Sequence, residues 1–201
     1  MTISLSDKGG GGVIPPFFNE AGKFPGYRTG KYYIPTMYFE NVTNAAIGTS
    51  NLYYTPFVPL ETYTFKGLAY YQGLTGNAGS GVRMGIYSSD NTGGPDSLIV
   101  AATEIILPSG TGLRVETISQ ELIKDILYYI AVTTSISATT IRRTSLNMKI
   151  PPMNQYGSRA IDISALGYDY RYMEAFAYAP LPATANPLTT TQKPPISFLE
   201  G

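Results

Sequence analysis

Asp90, Asn91 and Asp96 fall in one polar stretch. Together with loop carbonyls they could offer oxygen to a calcium ion, which takes about six to eight such ligands. Their spacing matches no established calcium loop. The plainer reading is a polar hairpin whose Asx side chains bond their own backbone, so no metal site is expected. Asp162, Asp169 and Glu174 could be imagined as a glycosidase pair, whose carboxyl groups sit about 5 to 10 Å apart. Asp169 and Glu174 differ by an odd number of positions, so a regular strand points them to opposite faces. Solvated or arginine-paired carboxylates account for them better. Gly9-Gly10-Gly11-Gly12 is no phosphate cradle, because no Gly-Lys-Ser/Thr follows and no strand precedes it. The Asn41-Val42-Thr43 sequon carries no weight without a secretory signal.

The residue types that are missing narrow the chemistry further. The chain has no cysteine, no histidine and no tryptophan. Without cysteine there is no disulfide and no thiolate nucleophile. Without histidine the commonest general base and most zinc and iron sites are gone. Carboxylate-only glycosidases and Ser-Lys hydrolases stay formally open, but no catalytic residue, cofactor or metal ligand is assigned and the chain is expected not to be an enzyme. Fourteen basic and fourteen acidic residues cancel. The longest basic run is Arg142-Arg143, too short to track a nucleic-acid backbone. No stretch approaches the roughly 20 apolar residues that span a bilayer. Met1 to Gly12 has no apolar signal-peptide core, so folding in a reducing cytoplasm is expected.

The elements that must carry these residues are short and numerous. Candidate strands are Lys31–Phe39, Leu52–Val58, Tyr63–Tyr71, Val82–Tyr87, Leu98–Ile106, Arg114–Ile118, Leu127–Thr133, Thr139–Arg143 and Tyr168–Tyr178. Tyr, Thr, Val and Ile dominate them, as pleated surfaces favour, and turn residues separate them at sandwich-like spacing. The last strand shows the period best. Tyr168, Tyr170, Tyr172, Glu174, Phe176 and Tyr178 fall on one face, with Asp169, Arg171, Met173, Ala175 and Ala177 on the other. Ser119 to Leu127 resists this pattern and permits one helical turn behind a serine cap. The expected fold is an all-β, antiparallel β-sandwich over 30–179, between an extended arm over 1–29 and a Pro-rich arm over 180–201.

Both arms carry Gly and Pro that deny them a core of their own. Even so, Val13, Ile14, Phe17, Phe18 and Phe24 punctuate the first, and Leu188, Ile196, Phe198 and Leu199 the second. A solvated linker has no use for such side chains, each worth about 1.5 to 3 kcal/mol when covered. They are read as attachment residues. The charged fraction is low, at 14%, and seventeen tyrosines stand out. Both features suit a sandwich core and a subunit interface.

Val82-Arg83-Met84-Gly85-Ile86-Tyr87, the polar loop Ser88 to Asp96 and Leu98 resemble a strand-loop-strand unit of jelly-roll-like domains in tailed-bacteriophage virion proteins. In that unit Gly93-Gly94 supply positive φ and Pro95 presets a turn. Tyr53-Tyr54-Thr55-Pro56-Phe57-Val58 with Tyr63-Thr64-Phe65, Leu127-Tyr128-Tyr129-Ile130-Ala131-Val132, and Ala177-Tyr178-Ala179-Pro180-Leu181-Pro182 are similar to further strands of that family. Lys124-Asp125 departs from it, standing where a glycine turn is usual. The resemblance spans about 50 to 182. It implies a jelly-roll-like virion structural protein of the capsid-decoration, head-fibre or tail-fibre type. Such a protein forms homo-oligomers and binds other virion proteins. Its place is the virion, reached from the host cytoplasm. A receptor- or glycan-binding sandwich module, with a cell-surface glycan as partner, is the alternative.

Overall fold

Alternation of large apolar and small or polar residues puts one face of each strand inward, and two such sheets must close on each other to hide it. The computed structural model, which describes residues 26–33, 42–46, 49–73, 79–135, 140–144, 172–189 and 197–201, has this arrangement. One sheet is built from β1 (Tyr32–Tyr33), β2 (Val42–Ala46), β4 (Tyr63–Gln72), β8 (Gly112–Leu122), β10 (Thr140–Thr144) and β13 (Ser197–Glu200). Its order is β1-β13-β4-β10-β2, with β8 paired to β4. The second sheet holds β3 (Asn51–Phe57), β5 (Gly81–Ser89), β6 (Pro95–Ala101), β7 (Ile105–Ile106), β9 (Tyr128–Thr134), β11 (Tyr172–Ala175) and β12 (Leu188–Thr189). Its order is β12-β11-β3-β9-β5-β6, with β7 paired to β5. Every pairing is antiparallel, and no helix occurs among the described residues. The all-β antiparallel sandwich is the fold.

Between the sheets lies a core in which Phe65, Leu68, Tyr70, Ile118, Leu122 and Leu199 of the first sheet meet Tyr53, Met84, Ile86, Ile130 and Val132 of the second. Tyr27 closes one end of it, edge-on to Tyr33 at 4.8 Å and to Phe65 at 4.8 Å.

Several expectations change. Ser119–Leu122 is not a helical turn but the end of β8, with Ile118 and Leu122 both buried. Apolar residues four apart share a face at period two as well as at period 3.6, so the spacing could not separate the two. The reversal comes later, at Lys124-Asp125, where Asp125 itself takes φ of 62° in place of the usual glycine. Leu98–Ile106 is split into β6 and β7. Of Lys31–Phe39, Tyr32–Tyr33 is strand and 34–39 lie outside the described residues; of Tyr168–Tyr178, Tyr172–Ala175 is strand, 176–178 have left it and 168–171 lie outside the described residues. Val42–Ala46, absent from the expected strands, pairs with β10 along its whole length.

The largest correction concerns the C-terminal arm. Residues 197–200 form β13, inserted beside β4 with Ser197 opposite Tyr70 and Glu200 opposite Gly67. Leu199 has no exposed surface and belongs to the main core. The proline-free stretch after Pro195 restores the backbone N–H groups that a sheet requires, so the end of the chain returns to its own sandwich.

Candidate functional site

A strand buried on both faces puts its alternate residues into two separate cores. In the second sheet Tyr53, Met84, Ile86, Ile130 and Val132 face the first sheet. Leu52, Tyr54, Tyr87, Tyr129, Ala131 and Tyr172 form a second buried cluster on the other face. Tyr54 and Tyr87 meet edge-on at 5.2 Å, and Tyr129 and Tyr172 at 5.6 Å. The stretch from Phe176 to Ala185 covers them, with Phe176, Leu181 and Ala185 packed against the cluster.

Backbone and side chain both hold this cover in place. Leu98 N–H donates to Ala183 O at 2.9 Å and Ala185 N–H to Asp96 O at 2.6 Å, so the segment runs along edge strand β6. The Tyr87 hydroxyl donates to Pro182 O at 2.7 Å, and that of Tyr129 to Gly93 O. Gly85 leaves the room needed: a Cβ there would lie 2.6 Å from Leu181 Cδ1 and 2.9 Å from Val100 O. At the far side Tyr178 donates to Glu104. Arg83 pairs with Glu104 at 2.8 Å and lies 5.3 Å from the centre of the Tyr178 ring.

Among the described residues Glu174 is the one buried carboxylate of this aromatic face. It is 7% exposed. Its Oε1 accepts from the Tyr54 hydroxyl at 2.8 Å and its Oε2 from Asn186 N–H at 2.6 Å. Burial, and next the Glu174 carboxylate, hold the Tyr54 phenol far above its ordinary range; the same two causes raise Tyr87. A cleft of about 370 Å³ opens here, lined by Glu174, Ala175, Phe176, Pro182, Thr184 and Asn186. A carboxylate, an aromatic side chain, a hydroxyl and an amide around one cleft can bind a polar ligand. Among the described residues that line the cleft Glu174 is the only carboxylate, and a glycosidase pair needs two.

The residues singled out in the sequence distribute differently. Asp90 does bond its own loop: Oδ1 accepts from Thr92 N–H at 2.7 Å, from the Thr92 hydroxyl at 2.8 Å and from Gly94 N–H at 2.8 Å. What burial it has raises its pKa, but these hydrogen bonds outweigh that and hold it below the usual carboxylate value. Of the two loop glycines only Gly93 takes positive φ, 85°, and Pro95 opens β6. No group of three or more His, Cys, Asp or Glu suited to a metal occurs among the described residues. Asp162 and Asp169 lie outside the described residues, as do Val13, Ile14, Phe17, Phe18, Phe24 and Ile196. Leu188 lies in β12 and Phe198 in β13, while Leu199 is core. Tyr54 and Asn186 as partners of Glu174 were not anticipated. The signal was nevertheless there, since period two placed Glu174 between Tyr172 and Phe176 on the apolar face.

Neither a family model nor a curated protein matches this chain.

Proposed function

We propose that this chain is a non-enzymatic structural subunit of a tailed-phage virion, joining other virion proteins and copies of itself. One observation carries the reading. Of the segments whose sequences resemble the virion family, Tyr53–Phe57, Val82–Tyr87, Leu98 and Tyr128–Val132 lie in the second sheet and Leu181 of Ala177–Pro182 packs on the face it presents to its cover, while Tyr63–Phe65 lies in β4 of the first sheet.

A second feature supports assembly. Asp125 N–H donates to Pro59 O at 3.0 Å and Lys124 N–H to Thr62 Oγ1 at 3.1 Å. This clasp gathers Leu60, Ile123 and Ile126, which are 43%, 53% and 46% exposed, at one end of the sandwich. Leu60 N–H also donates to the Tyr27 hydroxyl at 3.1 Å, so the root of the N-terminal arm is fastened to the same end. In this reading the part of the 1–29 arm before Gly26, with Val13, Ile14, Phe17, Phe18 and Phe24, and the apolar tip together engage neighbouring subunits.

The test is the mass of the purified chain by light scattering, together with proteomics of purified particles. The expected result is a symmetric oligomer and stoichiometric presence in the particle. Deletion of 1–25 should leave a folded monomer. A full chain that stays monomeric and is absent from particles overturns the reading, as would turnover of a glycan substrate.

A further inference from the structure

We propose that the Glu174 cleft binds an alkylguanidinium group, an arginine side chain presented by a partner chain. Glu174 has the chemistry for it. Each carboxylate oxygen accepts a single hydrogen bond from within, from Tyr54 and from Asn186. A carboxylate offers about four acceptor positions, so each oxygen retains capacity for one more donor. Two parallel N–H groups of a guanidinium fork match two such oxygens.

Charge points the same way. Both donors to Glu174 are neutral, and it has no ion pair among the described residues: Arg83 is committed to Glu104 and Lys124 to Asp125. A carboxylate that is mostly out of water gains from a counter-cation far more than an exposed one does. Phe176 lines the same cleft, and guanidinium stacks well on an aromatic ring. Thr184 and Asn186, both exposed, line the same cleft and carry oxygens that can accept further guanidinium donors. A cleft of about 370 Å³ has room for the planar group and its aliphatic stem. Calcium fits less well, because a single carboxylate supplies few of the oxygens it wants. A neutral sugar would bond the oxygens but leave the charge without a counter-ion. The site does not depend on the virion reading, since the cleft would take arginine in any partner.

The experiment is a titration of the full chain with N-acetyl-arginine amide, followed by the amide resonances of Ala175, Phe176 and Asn186. Parallel arms use the uncharged citrulline analogue, free arginine, a short arginine-bearing peptide and a hexose. The expected result is saturable shifts with arginine amide and at least equal affinity for the peptide, with none for citrulline. Glu174→Gln should abolish the shifts, and Phe176→Leu should weaken binding roughly two- to five-fold. If Glu174→Gln fails to fold, Phe176→Leu and the citrulline arm still decide. Absence of saturation, equal binding of citrulline, or binding of the hexose in place of arginine overturns the proposal. Free arginine binding more tightly than the peptide overturns the assignment to a partner chain.

Discussion

The hydroxyl of Tyr54 donates a 2.8 Å hydrogen bond to the carboxylate of Glu174, joining two residues 120 positions apart in the sequence. They stand on adjacent strands, since β11 pairs with β3 and brings Tyr172 opposite Tyr54 and Glu174 opposite Leu52. The bond therefore ties together two strands and, through Asn186, the segment that covers them.

Tyr54→Phe should remove one of the two hydrogen bonds to a carboxylate that is 7% exposed. The expected loss is about 1.5 to 3 kcal/mol, the range for hydrogen bonds to charged groups. Urea unfolding of Tyr54→Phe, Glu174→Gln and the double variant would measure it. A coupling energy indistinguishable from zero in that cycle would show that the contact contributes nothing.

The two ends of the chain should behave oppositely. Leu199 is fully buried, and β13 lies between β1 and β4, so Leu199→Ala should cost about 2 to 5 kcal/mol. Deleting 197–201 should unfold the first sheet, whereas deleting 1–25 should leave the melting transition nearly in place. Circular dichroism melts of the three variants check this. A truncation at 196 that melts like the full chain would restore the C-terminal arm as a detachable segment.

Burial raises the phenol pKa values of Tyr54, Tyr70 and Tyr87 well above the ordinary 10.0. The folded chain therefore keeps these protons at a pH where the unfolded chain has released them. The stabilisation is complete below pH 10 and is lost as pH rises through the folded-state values. Absorbance of tyrosinate and β-sheet dichroism, followed together on an alkaline titration, should show a cooperative step in which ionisation and unfolding coincide. Smooth ionisation of every tyrosine near its ordinary value, with the sheets intact, would contradict this.

Tyr70 is fully buried, and its hydroxyl has no hydrogen-bond partner among the described residues. Tyr70→Phe removes a desolvated polar group while keeping the ring in the core, and should raise stability by about 1 kcal/mol. Chemical denaturation settles the sign. A loss of stability would mean that the hydroxyl has a partner.

The fold class was legible from local pattern. Val82–Tyr87, Leu127–Thr133, Tyr63–Tyr71 and Leu52–Val58 each lie within two residues of an observed strand at both ends, because their periodicity and β-branched or aromatic content are properties of contiguous residues. The alternation of Tyr172 and Glu174 against Met173 was legible for the same reason. Pattern reports which residues share a face, but not how many layers a sheet has or what covers it. A tyrosine facing solvent and one facing a second cluster read alike. That Tyr54 and Tyr87 are sealed under Leu181 and Pro182 follows only from the chain crossing back over β5 and β6. Proline content likewise marks 180–195 as unsuited to helix or inner strand. It leaves open whether four residues beyond Pro195 return to the parent sheet, and pairing with β4, more than a hundred positions away, decides that. Composition and periodicity determined an all-β sandwich without histidine or cysteine chemistry. Long-range pairing decided that Glu174 is a buried acceptor in an aromatic face and Leu199 a core residue, because hydrogen-bond partners and burial belong to the assembled sheets and not to any segment alone.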